Sequence, residues 1–449
     1  MLYKIFLLVF LTSVSLQAQY SVTGKINSKG NFTWTLLYEI QNGKPVYVEN
    51  ADVKDGQFTF NFTKDQPAGI YRIYYQIEDR LYIDFIYNKE SVSFTFNPED
   101  PSGSITFSNS DENKIYQQYY RSISKEQKKL DSLQVAYFRS KDDKVLKELK
   151  KQYKKQLAEV LKTQKTFEKR SEGKLAHHFI VASARYNPKE PEKDPKSYLL
   201  GVKEHFFDHV DFNDKVLSNS TFINDKFLDY VFYLNQADDQ NTTNVLQKAA
   251  IEEITTKISG NYPLLKTFEE TALRQYVDDG NLKMVNYLLK DHYANLPLDY
   301  QDYAFKHKVE TEIKTAVGSK APNLEWVERG DSRNLYDLFG YDYYIVVFFS
   351  SSCPHCQHEM PLLHDFIKDI KNVKVIAVGL EEERSGWEKM TAGWKEYINI
   401  LDLEKWDSFR AKNYGVTAIP NYFVLDKNKV ILAKPDDVKA LKKIFKPEE

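Results

Sequence analysis

Between about Tyr20 and Thr106 apolar and polar residues alternate in short runs. Phe32–Tyr38, Gln57–Phe62, Tyr71–Ile77, Arg80–Tyr87 and Val92–Phe96 carry the period of two that half-buried strands require. Asn42-Gly43, Asp55-Gly56 and the stretch from Pro98 to Gly103 separate them with turn formers. The pattern predicts an antiparallel β domain, with a sandwich as the candidate arrangement. From about Asp111 to Val317 the period changes. Leu130, Leu133 and Tyr137, then Leu146, Leu149, Tyr153, Leu157 and Leu161, recur at helical spacings within a Lys/Glu-rich stretch from Lys125 to Lys169. Two long helices are predicted, broken near Ser140-Lys141-Asp142-Asp143. A loop from Asn187 to Pro195 follows, then helices over Val245–Ile258, Tyr262–Tyr276 and Leu282–Ala294. This middle region is expected to be all-α.

From Gly318 onward strand and helix signals alternate, which predicts an α/β domain. Tyr343–Phe349 and Val373–Leu380 read as buried strands, with a helix from Cys353 to about Ile370 between them. A short helix over Asp407–Tyr414, a hairpin of Tyr422–Leu425 and Val430–Ala433, and a closing helix over Val438–Phe445 complete it. A chain of 449 residues exceeds what one core organises, so several domains are expected. Their boundaries are read as 1–18, 19–110, 111–317 and 318–449.

Residues 1–18 read as a cleaved signal peptide: Lys4 gives a basic start, Ile5 to Leu11 is apolar, and Thr12 to Ala18 is mostly small and polar. The apolar run is shorter than the roughly 20 residues of a spanning helix. No Cys follows it closely, which argues against a lipid anchor. A protein exported to the periplasm or cell envelope is the expectation. The formal net charge of -2 supplies no attraction for a polyanion, so no nucleic-acid partner is expected.

The chain contains two Cys, spaced as Cys353-Pro354-His355-Cys356, and none placed to staple distant segments. The pair follows a predicted strand and opens a predicted helix. Free N–H groups and the positive end of the helix dipole at that position stabilise a thiolate on the first Cys, leaving the second to attack a mixed disulfide. Haem attachment would require His where Gln357 stands, and zinc would require ligands beyond the two thiolates and the nearby His355 and His358. Neither metal nor cofactor is therefore expected. A second constellation, Val416-Thr417-Ala418-Ile419-Pro420-Asn421-Tyr422-Phe423, sets a proline ahead of a buried strand, where a cis bond in a tight turn is best accommodated.

CxxC followed by this proline turn resembles the thioredoxin superfamily over roughly Gly318 to Phe445. Within it the chain looks most like the secreted TlpA/ResA-type branch. Ala321-Pro322-Asn323-Leu324, Leu335-Tyr336-Asp337-Leu338-Phe339-Gly340 and Glu359-Met360-Pro361 carry that likeness, and Pro361 is expected to kink the active-site helix. The resemblance implies a thiol-disulfide oxidoreductase with Cys353 as nucleophile, Cys356 resolving, and Pro420 and Ile419 flanking the sulfurs. It also implies that the Ile419 main chain pairs with a substrate strand. Thiol- or disulfide-bearing extracytoplasmic proteins and a membrane-borne electron donor or acceptor are the partners it suggests. Two positions depart from the family. Val347 stands where thioredoxins bury a proton-accepting Asp, leaving Glu359, Glu381 or water as proton carriers, and Ser352 replaces the Trp before the first Cys.

Pro354-His355 matches the dipeptide of DsbA-type oxidases, which differ from thioredoxin by about 150 mV, or roughly 7 kcal/mol. The rest of the domain looks like TlpA/ResA relatives, which mostly reduce. Reduction or exchange of disulfides is the expectation carried forward, against a disulfide-donating oxidase or a redox-sensing binding protein. His205 and His209 are read as sharing one helical face, more simply a surface or core pair than metal ligands. Ser350-Ser351-Ser352 lacks the upstream proline of a peroxiredoxin, Val346 standing there. Asn31, Asn61, Asn219 and Asn241 begin glycosylation tripeptides that are common by chance. The Lys125–Lys169 stretch reads more simply as a solvated hairpin than as a partner-binding arm.

Overall fold

The computed structural model describes residues 20–28, 30, 32–76 and 81–445. The expected signal segment, the Asn31 tripeptide, and Ile77 and Arg80 at two expected strand ends lie outside these. The chain divides into two compact units, Met1–Phe268 and Glu269–Glu449.

Eight strands open the first unit: β1 (Tyr20–Ile26), β2 (Trp34–Gln41), β3 (Lys44–Asp52), β4 (Gln57–Phe62), β5 (Gly69–Gln76), β6 (Leu81–Tyr87), β7 (Val92–Phe96) and β8 (Thr106–Phe107). They form two four-stranded sheets, β4-β1-β7-β8 and β3-β2-β5-β6. Neighbours run antiparallel except β1 and β7, which are parallel with Val22 opposite Val92. The alternation predicted for β4 and β7 points Phe58, Phe60, Phe62, Phe94 and Phe96 inward. They meet Leu37, Tyr71, Ile73 and Phe85 of the other sheet in one core, so the domain is a sandwich. The sequence reading missed β1 and β3. β3 is an exposed edge strand without an alternating apolar face. It is recruited by the Asn42-Gly43 turn, whose φ angles of 48° and 73° match the twist of the hairpin.

Two helices, Asp111–Arg139 and Asp143–Ser171, form the predicted hairpin and bury Leu130, Tyr153, Leu157 and Val160 together. The break between them is set by Asp142, whose carboxylate accepts the Lys144 and Val145 N–H groups at 2.8 and 3.1 Å. Helices Leu175–Ala182, Pro195–Glu204 and Gln240–Lys257 continue the α region. One expectation fails here. The helix ends at Glu204, and residues 205–209 form turns rather than a shared helical face. His205 instead stacks on Tyr186, with ring centroids 4.2 Å apart, and bonds Asp208 at 2.7 Å. Asp208 competes for the imidazole that the spacing alone would aim at His209.

In the second unit the expected helix over Leu282–Ala294 is regular only to Tyr287. It continues as a π turn, Leu288–His292, and a 3₁₀ turn, Tyr293–Asn295. Strands β9 (Glu325–Glu328) and β10 (Asp331–Asn334) form a small hairpin. β11 (Tyr343–Phe349), β12 (Val373–Leu380), β13 (Ile398–Asp402), β14 (Asn421–Asp426) and β15 (Ile431–Ala433) build a sheet in the order β13-β12-β11-β14-β15. β11, β12 and β13 run parallel, and β14 and β15 are antiparallel additions. β11 is apolar throughout because both its faces are covered. Tyr344, Val346 and Phe348 meet Ala411, Tyr414 and Leu324 on one side. Ile345, Val347 and Phe349 meet Met360 and Leu363 of the helix Pro354–Ile367 and Leu441 of the helix Val438–Phe445 on the other. The Ala321-Pro322 segment is tied to the domain by Tyr336 Oη on the Ala321 carbonyl (2.7 Å) and Tyr414 Oη on the Pro322 carbonyl (2.6 Å). The reading missed β13 and the helix Arg384–Thr391, both short and flanked by polar residues.

Candidate active site

β11 ends at Phe349, and Ser350–Ser352 turn the chain into the helix Pro354–Ile367, at the carboxyl edge of the parallel strands where open α/β sheets hold their sites. Cys353 is the N-cap residue, with extended backbone (φ −83°, ψ 119°), and its sulfur accepts the Cys356 N–H at 3.4 Å. Pro354 occupies the first helical position, where its missing N–H costs nothing. Pro361 lies inside the same helix and deprives it of one internal hydrogen bond.

The two thiols are free and stand in different surroundings. Cys353 is half-buried beside the exposed Ser352, Pro354 and His355, so the rim of the site is polar. Cys356 is fully buried against Val347, Met360 and Tyr422. Burial pushes its thiol up to about 12, with further upward contributions from Cys353 and the charge of Glu381, against a Ser350 N–H that favours the thiolate.

The turn ahead of β14 comes to the same sulfur. The Ile419–Pro420 bond is cis, and the Cys353 thiol donates to the Ile419 carbonyl oxygen at 3.8 Å. Cys353, Cys356, Ile419 and Pro420 therefore converge. Glu359 is buried one turn beyond Cys356. One of its oxygens accepts the Val438 N–H at 2.8 Å, opening the last helix, and the other meets His358 Nδ1 at 3.2 Å. Val347 is wholly buried in β11 opposite Tyr422.

Sequence reasoning named Glu381 only as one of several proton carriers and gave Ser350 no role. Glu381 follows β12 directly and is buried, and its carboxylate accepts Ser350 Oγ at 3.1 Å, Ser351 Oγ at 3.0 Å and the Ser351 N–H at 2.5 Å. Its only advance signal was a charged residue at the end of an apolar run. The Tyr422 hydroxyl is also buried and has no hydrogen-bond partner, a feature that no local pattern announces. Among the described residues, no group of three or more His, Cys, Asp or Glu side chains could hold a metal ion. No helix among them is long and apolar enough to cross a membrane.

A family model described as thioredoxin-like matches residues 340–431, and a domain of unknown function matches residues 20–116. A domain of a possible thiol-disulfide isomerase from Cytophaga hutchinsonii is 35% identical, covering 29% of this chain and 90% of that one, with a TM-score of 0.26. A thiol-disulfide oxidoreductase from Bacteroides fragilis is 26% identical over 28% of this chain and 98% of its own, with a TM-score of 0.25. A thioredoxin-like protein from Bacteroides caccae is 20% identical over 59% of this chain and 98% of its own, with a TM-score of 0.38. No curated protein matches the chain.

Proposed function

For a chain that belongs, through its C-terminal domain, to the thioredoxin superfamily, we propose the work of an extracytoplasmic thiol-disulfide oxidoreductase that reduces or exchanges disulfides of exported proteins. Cys353 is the nucleophile and Cys356 the resolving thiol. One observation carries the reading: a half-buried cysteine caps a helix with its sulfur on a main-chain N–H, and its partner one turn inside is sealed from solvent.

Cys353 is the half-buried sulfur of the pair, and its thiolate is the attacking species. That thiolate attacks one sulfur of a substrate disulfide, forming a mixed disulfide and releasing the other sulfur as a thiolate that takes up a proton. Cys356 then loses its proton and attacks the Cys353 sulfur. The Cys353–Cys356 disulfide forms, the second substrate thiol leaves, and two electrons have passed to the substrate. A membrane-borne dithiol donor would return the pair to the reduced state. The Ile419 carbonyl beside the Cys353 sulfur supports pairing between this edge and an extended substrate strand. Export rests on the apolar leader before Ala18.

Pro354-His355 favours a second reading, a disulfide-donating oxidase. The reduction potential of the pair separates the two, a value near thioredoxin meaning reductant and one near DsbA meaning oxidant. Insulin reduction by the purified chain should vanish in Cys353→Ala, and mixed disulfides with client proteins should accumulate in Cys356→Ala. Activity that survives both substitutions would reject the assignment.

A further inference from the structure

The side chains of Ser350 and Ser351 and the Ser351 N–H lead to one carboxylate. The Glu381 side chain takes three hydrogen bonds from these two residues at 2.5–3.1 Å, and its own N–H is fixed on the Asp402 carbonyl at 2.8 Å. Ser350 is the residue through which the turn reaches both cysteines. Its carbonyl accepts the Cys353 N–H at 3.2 Å, and its N–H faces the Cys356 sulfur. Ser350 Oγ also contacts Ser352 Oγ at 2.9 Å. Gly386 packs closely against the turn, where a Cβ would lie 2.5 Å from Ser351 Oγ.

We propose that Glu381 is the positioning residue of the resolving step, fixing the Ser350–Ser352 turn against Cys356. This rests on the oxidoreductase reading above and adds to it a control on how long the mixed disulfide lives. Its influence on Cys356 is geometric, through the turn it anchors, with its charge a minor upward cause beside burial. The other titratable groups facing this region are Cys353, Tyr422 and Glu359 around Cys356, and Asp402, held by Arg410 at 3.0 Å, on the far side of Glu381. Among them Glu381 alone touches the turn that bears the cysteines through its side chain.

The charge and the anchor predict opposite effects, which makes the proposal testable on the full-length chain. Glu381→Gln keeps a group of the same shape that can still accept the Ser351 N–H, but removes the charge. Glu381→Ala removes both. The probe is a preformed mixed disulfide between Cys353 and a thionitrobenzoate group, whose release by Cys356 is followed by absorbance from pH 6 to 9. The Glu381 charge is the last and smallest of the upward causes on Cys356, so Glu381→Gln gains some thiolate and loses part of that gain in nucleophilicity. A net release up to about threefold faster at pH 7 is expected, with the rate profile displaced to lower pH. Glu381→Ala should release at least threefold more slowly than Glu381→Gln, because the turn has lost its anchor. Equal rates for the two variants would overturn the proposal and leave the oxidoreductase reading intact. An unaltered chain that releases no thionitrobenzoate would instead sink that reading.

Discussion

Replacing Cys353 with Ala leaves a single thiol whose behaviour follows from its burial. Cys356 is fully enclosed, and its pKa is raised from 9.0 to about 12, mainly by that burial. Cys353 contributes only secondary causes of the shift, so removing it lowers the value without changing its sign. A rise of three units cuts the thiolate fraction at pH 7 about 1000-fold. The more basic thiolate recovers roughly 20- to 30-fold in nucleophilicity, leaving a net deficit of about 40-fold. Exclusion of the reagent by the packed Val347, Met360 and Tyr422 side chains adds to this. With the Cys353 contributions gone the ionisation part falls below that figure, so iodoacetamide should label Cys353→Ala at pH 7 at least about 10-fold more slowly in its folded state than in 8 M urea. The Cys356→Ala protein, with its half-buried N-cap thiol, should label readily when folded. Labelling of folded Cys353→Ala within about threefold of the urea rate would refute the picture of a sealed resolving thiol, and with it the assignment of roles within the pair.

Glu269 is buried with one unpartnered oxygen, and burial, reinforced by the charge of Glu270, raises its pKa from 4.5 to about 8. A carboxyl raised in the folded state contributes its stability below the unfolded pKa and loses it as pH climbs through the folded one. Glu269→Gln should thus gain about 5 kcal/mol over the unaltered chain between pH 4.5 and 8 in urea unfolding, and a difference that does not vary with pH would contradict this. Phe94→Ala empties a site shared by Phe58, Phe85, Phe96 and Phe107 in the sandwich core and should cost about 3–5 kcal/mol, read from the unfolding midpoint. Asp142→Ala removes two bonds to the first turn of a long helix and should cost about 1 kcal/mol, a loss that Asp142→Asn largely avoids.

What could be read from the chain alone was whatever is decided within a few residues. β11 was legible because a strand buried on both faces must be apolar at every position, and the Asn42-Gly43 turn because few residues reach φ angles of 48° and 73° in sequence. The dithiol and its proline were legible because their chemistry names the residue types. β3 was illegible for the converse reason: an edge strand gains its place from main-chain pairing with β2, which leaves no mark on its side chains. His205 was misread because spacing reports a face only while the helix lasts, and this one stops at Glu204. Glu381 was seen as a candidate but not understood. Its meaning arises where the carboxyl end of β12 comes beside that of β11, a register set by the pairing of Phe349 with Gly379 across thirty positions of chain. Sequence order separates the carboxylate from the cysteines, and the parallel sheet brings them to adjacent strands. For the same reason a carboxylate reaches the site although Val347 stands in the central strand: buried Glu381, at the end of the neighbouring strand, meets Cys356 through Ser350, from the edge of the sheet rather than its centre.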